Sequence, residues 1–333
     1  MKRRGYLIAQ IAEMENLRWA FLKARRGKSD RKEVLEFSSD LQENLLSLRR
    51  ELLAGQVHVG DYHYFTIFDP KERVICAAPF AQRVLHHAMM NVCHEDFERF
   101  QTDDSFASRQ GRGTYAALSR AFYFQDRYAY CLKLDVRKYF DSISHDVLKR
   151  QMSRLFRDKQ LLNILSAIID SYETTPGRGL PIGNLTSQYM ANHYLAAGDH
   201  YVREQLGVKA YVRYMDDMML WDNDRSRLRD IGMSLRSFLA CELDLSLKVF
   251  DLAPTKRFTT FLGYRMKRNV RQLSKRSAVR FRRRLKVYYE LYGQGLLSQE
   301  GLAGHLRPLF AFVEKVDSLR YRKKVLDDLG QIC

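Results

Sequence analysis

Three aspartates carry the first chemical signal in this chain. The stretch "YVRYMDDMMLW", residues 211–221, sets Asp216 beside Asp217 inside an otherwise apolar run. Adjacent carboxylates repel each other, and each is costly to remove from water. A third acid, Asp135, closes the short apolar segment "CLKLDV". An Asp-Asp pair standing alone in a hairpin is ordinarily just a solvated turn. Here the two apolar halves around Met215-Asp216-Asp217 suit a hairpin with the acids at its tip. If the strand ending at Asp135 lies beside that hairpin, three carboxylates converge on one sheet edge. Bound divalent cations make such a cluster tolerable, and oxygen ligands of this kind suit Mg2+. Two such ions about 4 Å apart serve in-line phosphoryl transfer, one activating a hydroxyl and the other steadying the leaving pyrophosphate.

The elements that must position these acids follow from periodicity. Leu7, Ile11, Met14, Leu17 and Phe21 have helical spacing and predict one helix over about 6–23, with a second over 40–53. After Gly60, "YHYFTIFDPKERVICAAPF" alternates and predicts a strand pair turning near Asp69-Pro70. A helix over 80–97 follows, then the polar Gly-rich loop "SRQGRGT" and the strand that ends at Asp135. Helical segments are expected over 143–171 and 186–206, and strands over 211–221 and at "RFTTFLGYRM". From Met266 onward the chain reads as basic and mostly helical. In the 186–206 helix, Met190, Ala191, Tyr194, Leu195 and Val202 share a face with the small Gly198, a face suited to pack under a sheet. Strands and helices neither alternate regularly nor segregate, which gives an α+β class.

Composition narrows the partners. Of 333 residues, 46% are hydrophobic, enough for a sizeable core in two or three subdomains. Lys and Arg number 56 against 39 Asp and Glu, a net charge of +17 that calls for a polyanionic partner. The apolar run "LLNILSAII" falls far short of the roughly 20 residues of a membrane span. Glu13 and Glu15 interrupt any signal-peptide core. Nucleic acid is therefore the expected partner, and no membrane. The five cysteines (Cys76, Cys93, Cys131, Cys241, Cys333) form no C-x-x-C pair and suit reduced thiols in a cytoplasm. His86, His87, Cys93 and His94 fall in two clusters along one predicted helix with no second ligand pair, so a zinc site is not expected. No phosphate-binding G-x-x-x-x-G-K-[ST] loop occurs, which leaves ATPase activity unsupported.

"YMDD" does not stand alone. "KERVI", "LKLDVRKYFDSI", "LPIGNLTSQ" and "FLGYR" accompany it in a fixed order across residues 60–265. Together they resemble the motifs of reverse transcriptases. The resemblance implies a right-hand polymerase: an N-terminal extension and fingers over 1–127, and a palm over 128–265 whose antiparallel sheet is backed by helices. A helical fingers insertion would fall at about 150–180, and a basic helical thumb over 266–333. It implies RNA-templated DNA synthesis from deoxynucleoside triphosphates with two Mg2+ ions, for which Mn2+ could substitute. Asp135, Val136, Asp216 and Asp217 would hold the metals, with the three aspartates catalytic. Lys71 and Arg73 would hold the triphosphate, and Phe140 would act as the steric gate against a ribose 2′-hydroxyl. Ile182, Gly183 and Met215 would line the nucleotide pocket. Arg112, Asn184, Gln188, Arg276, Arg280 and Arg283 would meet template and primer.

Several of these have a reading of their own. Arg73 beside the metals would neutralise charge moving onto the leaving group. Gly183 lacks a Cβ, so a base or sugar could approach its backbone. Over 276–292, Phe281, Leu285, Tyr288 and Tyr292 share one helical face, with Arg276, Arg280 and Arg283 opposite. The apolar side would face the protein and the basic side a duplex backbone.

Ile182 and Gln188 mark a departure, since many reverse transcriptases carry Gln and Pro there. This form is similar to the reverse transcriptases of diversity-generating retroelements, as are "ENLLSLRRELLAG" and "SFASRQGRGTYAAL". That resemblance implies copying of a template-repeat RNA with errors opposite adenines, for diversification of a target gene. It also implies an oligomeric accessory variability determinant protein and the cytoplasm of a bacterial or phage-infected cell. An aliphatic Ile182 cannot donate a hydrogen bond with which to check pairing. The rival readings are an antiphage defence reverse transcriptase and a catalytically silent RNA-binding scaffold. His305 receives no role, and either Lys248 or Lys256 could be the general acid for pyrophosphate.

Overall fold

A computed structural model describes residues 3–68 and 72–330. Four helices open the chain: α1 (Leu7–Ile11), α2 (Met14–Arg25), α3 (Lys32–Ser39) and α4 (Leu41–Ala54). A hairpin of β1 (His63–Ile67) and β2 (Arg73–Ala77) precedes the long α5 (Phe80–Phe100). Then come α6 (Thr114–Arg127), β3 (Tyr130–Val136), α7 (Tyr139–Ser142), α8 (His145–Leu155), α9 (Lys159–Asp170) and α10 (Leu185–His200), which runs into a π turn at Tyr201–Gln205. β4 (Tyr211–Tyr214), β5 (Asp217–Asp222), α11 (Arg225–Leu243) and β6 (Leu247–Pro254) follow. The chain ends in β7 (Thr259–Phe261), β8 (Tyr264–Lys267), β9 (Val270–Leu273), α12 (Lys275–Gly293), α13 (Gln299–Val313) and α14 (Leu319–Gly330).

Two compact units result. One comprises the described parts of Met1–Gly113 with Leu134–Met218 and Asp230–Phe250; the other comprises Thr114–Lys133, Met219–Arg229 and the described part of Asp251–Cys333. β1 and β2 pair antiparallel, and so do β7 with β8 and β8 with β9. Four strands form a sheet in the order β4-β5-β3-β6. The strand ending in Asp135-Val136 is therefore the neighbour of the strand beginning at Asp217.

The helix predicted over 6–23 is two helices. Glu13 turns extended, at φ −61° and ψ 134°, between α1 and α2. Asn16 Nδ2 donates to the Ile11 carbonyl at 2.8 Å, supplying a partner at the break. Asp158 then organises two helix starts with one carboxylate. Its Oδ2 accepts from the Leu7 and Ile8 amides at 2.6 and 3.2 Å, and its Oδ1 caps α9 through Leu161 N–H at 3.2 Å. The helical stretch over 143–171 divides into α8 and α9, and the one over 186–206 is α10 plus the π turn. "RFTTFLGYRM" is likewise not one strand. Leu262 and Gly263 take φ of +48° and +88°, folding the segment into the β7–β8 pair. A Cβ at Gly263 would meet Ser277 Oγ at 2.9 Å, so only glycine fits that turn. The region after Met266 begins with β9 before its three helices. Helices α3, α6 and α11 and strand β6 have no counterpart in the expectations, because their apolar positions are sparse or broken by charge.

Candidate active site

The site is built at strand ends. β3 is a buried strand whose penultimate residue is Asp135, and Arg137 N–H donates to the Ser246 carbonyl at 2.8 Å just beyond it. β4 and β5 are joined by Met215 and Asp216 alone, a two-residue hairpin turn. Met215 occupies the left-handed region at φ +53°. A positive φ at the first central position of such a turn usually selects glycine, so methionine there stores on the order of 1 kcal/mol of strain. Asp216 forms the tip with Met215, and Asp217 is already the first residue of β5.

Asp135 and Asp216 come together. The Asp216 carboxyl is pushed up to about 6, first by burial and then by the like charge of Asp135 and a hydrogen bond with it. Its own backbone N–H and the Arg73 guanidinium pull the other way. Arg73, at the start of β2 and opposite Ile67, is thus close enough to act on the pair. Asp217 follows them directly as the first residue of β5. Among the described residues no three carboxylate, imidazole or thiol groups stand close enough to hold a metal together. Val136 is buried, and with a hydrocarbon side chain it can offer a cation only its main-chain carbonyl.

The segment after β3 turns sharply at Lys138, φ +44°, and presents Phe140 on the short α7. Phe140 is half-buried against the Tyr139 ring, and its carbonyl accepts from Leu180 N–H at 2.9 Å. The loop before α10 docks on the hairpin strand β2. Cys76 N–H donates to the Ile182 carbonyl at 2.8 Å. At Gly183, φ +126°, a Cβ would lie 2.9 Å from Ile75 Cγ2 and 3.2 Å from the Cys76 carbonyl oxygen. The close approach that this glycine permits is therefore to β2 itself. Asn184 points inward: it is buried, and its Oδ1 accepts from Ala78 N–H at 3.3 Å. Gln188 is exposed, with Ser108 Oγ donating to its Oε1 at 3.3 Å. Arg112 is held by Asp103 at 2.6 Å and lies over the Phe106 ring. Lys71 lies outside the described residues.

In the second unit, α12 buries Phe281 and Leu285 while Arg276 and Arg283 are exposed and Arg280 is half-buried. Tyr292 departs from the expected apolar face and is exposed. Tyr288 instead stacks on His305 of α13, with centroids 4.6 Å apart, which gives that histidine a structural partner.

Arg213 and Asp199 escaped the sequence reading. Both are fully buried and paired at 2.6 Å, one on β4 and one on α10. The available signal was a single guanidinium in the apolar strand "YVRY" and a single carboxylate on an apolar helix face.

Asp135 near the end of β3, Asp216 in the β4–β5 turn and Arg73 on the β1–β2 hairpin are thus brought together. The family model for reverse transcriptase (RNA-dependent DNA polymerase) matches residues 69–266. That is more than half of the 333 residues, and the chain belongs to the reverse transcriptase family; its mixture of helices and antiparallel sheets agrees with the expected α+β class. No curated protein matches the sequence. Among solved structures it is similar to telomerase from Candida albicans in complex with a TWJ fragment of telomeric RNA. That match has 14% identity and a TM-score of 0.47, covering 81% of this chain and 55% of that one. It is also similar to apo telomerase from Candida tropicalis truncated from its C-terminal domain, at 13% identity and a TM-score of 0.44 over 64% and 55% of the two chains. The chain spans a little over half the length of each. Among the described residues no helix is long and apolar enough to cross a membrane.

Proposed function

We propose that the chain copies a structured RNA into cDNA from deoxynucleoside triphosphates, with Asp135 and Asp216 as the reacting centre. The observation that carries this is the half-buried pair of carboxylates, Asp135 against Asp216, beside Arg73. Two carboxylates pressed together, with the ionisation of Asp216 penalised, fit a hard divalent cation, which would favour the charged form of Asp216. Asp135, Asp216, Asp217 and the Val136 carbonyl would hold it. Magnesium, or manganese in its place, would supply activation of the primer 3′-hydroxyl and stabilisation of the leaving pyrophosphate.

The chain's own residues do the rest. Arg73, with Lys71, offsets the triphosphate charge. Phe140, set by the Lys138 turn, stands where a ribose 2′-hydroxyl would be refused, and Met215 borders the base pair. Arg276, Arg280 and Arg283 on α12 track the duplex backbone, and Arg112 and Gln188 the template. Fingers, palm and thumb would fall at 1–127, 128–265 and 266–333. The form of the Ile182–Gln188 segment supports a diversity-generating enzyme that reads a template-repeat RNA with an accessory variability determinant protein, in a bacterial or phage-infected cytoplasm.

Primer extension on a defined RNA template, with and without that accessory protein, followed by cDNA sequencing, tests the reading. Errors concentrated opposite adenines, and fewer of them in Ile182→Gln, are expected. Even fidelity would move the assignment to a defence enzyme. Asp216→Ala is expected to abolish synthesis while keeping the wild-type circular dichroism, and retained synthesis refutes the assignment of the centre.

A further inference from the structure

We infer that Arg213 is a positioning residue that locks the orientation of the Met215–Asp216 peptide, with Asp199 as its anchor. The inference rests on the reading of Asp216 as part of the reacting centre.

Every donor of the Arg213 guanidinium is engaged. Nε donates to Asp199 Oδ1 and Oδ2 at 2.7 and 2.9 Å, and Nη2 to Asp199 Oδ2 at 2.6 Å. Nη2 also reaches Ser105 Oγ at 3.0 Å. Nη1 donates to Asn192 Oδ1 at 2.8 Å and to the Met215 carbonyl at 3.2 Å. Tyr211 O–H holds the far side of the anchor, donating to Asp199 Oδ1 at 2.8 Å. The main chain of β4 is pinned at the same residue, by Arg213 N–H to the Asp104 carbonyl at 2.8 Å and Phe106 N–H to the Arg213 carbonyl at 3.0 Å. Strand, helix α10 and the 101–106 loop thus meet in one guanidinium.

The bond to Met215 carries the functional weight. Met215 and Asp216 are the two central residues of the hairpin turn, so the Met215 carbonyl belongs to the central peptide. Turn types are interchanged by flipping that peptide, with little movement of the strands on either side. In this turn a flip would rotate ψ of Met215 and φ of Asp216, leaving Met215 left-handed but turning the Asp216 carboxylate relative to Asp135. Arg213 Nη1 holds the carbonyl in one of the two orientations. Its planar fork is what allows one side chain to grip Asp199, Asn192 and Met215 in different directions at once. A lysine ammonium in that space keeps the charge but cannot span all three.

Single-nucleotide incorporation by rapid quench, on an RNA template with a DNA primer, separates this role from simple folding support. The rate constant reports the geometry of the centre, and the burst amplitude reports the fraction of folded, active molecules. For Arg213→Lys the rate constant is expected to fall about 100-fold, the scale of a 1 Å misplacement. The amplitude and the nucleotide affinity from the same time courses are expected to stay within about twofold of wild type. A wild-type rate constant overturns the inference, whether or not the amplitude falls. Should Arg213→Lys not fold, Asp199→Asn, which keeps the size and the acceptor of the anchor, carries the test. It is expected to slow incorporation about tenfold at full amplitude, and an unchanged rate constant overturns the inference. Failure of the parent reading shows separately, as absence of incorporation by the wild-type protein before any substitution.

Discussion

Replacing Gly183 by alanine is expected to loosen the docking of the β1–β2 hairpin and, through it, the grip on the triphosphate. Three costs are legible at this position. The backbone sits at φ +126°, where L-residues rarely go, and forcing one there costs about 1–3 kcal/mol. The new Cβ would lie 2.9 Å from Ile75 Cγ2 and 3.2 Å from the Cys76 carbonyl, too close for either to remain in place. Moving β2 away strains the Cys76 N–H bond to the Ile182 carbonyl, 2.8 Å long, worth about 1 kcal/mol net. Together these make roughly 2–4 kcal/mol, spent either as lost stability or as an undocked hairpin. Arg73 sits at the start of the same strand. Undocking therefore raises KM for the nucleotide, by about tenfold for each 1.4 kcal/mol expressed there, with a smaller effect on kcat. Steady-state incorporation and thermal unfolding of the same preparation read both channels. If Gly183 is small only to admit a nucleotide, Gly183→Ala will raise KM with an unchanged Tm and an unchanged β2. A wild-type KM together with a wild-type Tm refutes the packing argument altogether.

Phe140→Ala is expected to admit ribonucleotides, raising their incorporation relative to deoxynucleotides at least tenfold; unchanged discrimination removes Phe140 from the sugar site. The acid limb of stability is expected to be set partly by His86 and His193. Burial pushes these fully enclosed imidazoles down to about 4 and about 3. Their folded pKa values lie below the unfolded value of about 6.5, so the unfolded chain binds the extra protons. The stability they contribute is complete above pH 6.5 and is lost as pH falls toward 4. Urea midpoints should drop between pH 7 and pH 5 in wild type and drop less in His193→Gln; parallel curves refute the assignment.

The motifs of the centre were legible because each is local. An apolar strand ending in Asp135, and two apolar halves around Met215-Asp216, carry their geometry in a few adjacent residues. Periodicity also found the buried faces of α10 and α12. It could not say what lies across those faces. Asn184 reads as a polar loop residue, yet its carbonyl oxygen is taken by Ala78 N–H, which is 106 residues away in the chain. Arg213 reads as an intrusion into a strand until Asp199 is placed beside it by the packing of β4 on α10. The breaks at Glu13 and at Leu262–Gly263 are equally silent, since they depend on backbone angles that no apolar spacing reports.

The residues that shape the centre share a physical feature. Lys138, Met215 and Gly183 all hold positive φ, at +44°, +53° and +126°. Each sits where the chain must turn within one or two residues to present Phe140, Asp216 or the Ile182 segment. Such conformations persist only when their surroundings over-determine them. For Lys138 the restraint is its own carbonyl, which accepts from Ser142 N–H and Ser142 Oγ, both at 3.0 Å. For Gly183 it is the β2 backbone, and for Met215 the Arg213 guanidinium. A buried ion pair is a poor source of net stability, because desolvation offsets most of its attraction. Its value at β4 is directional: a fully engaged guanidinium fixes one peptide plane, and that plane decides whether Asp216 faces Asp135.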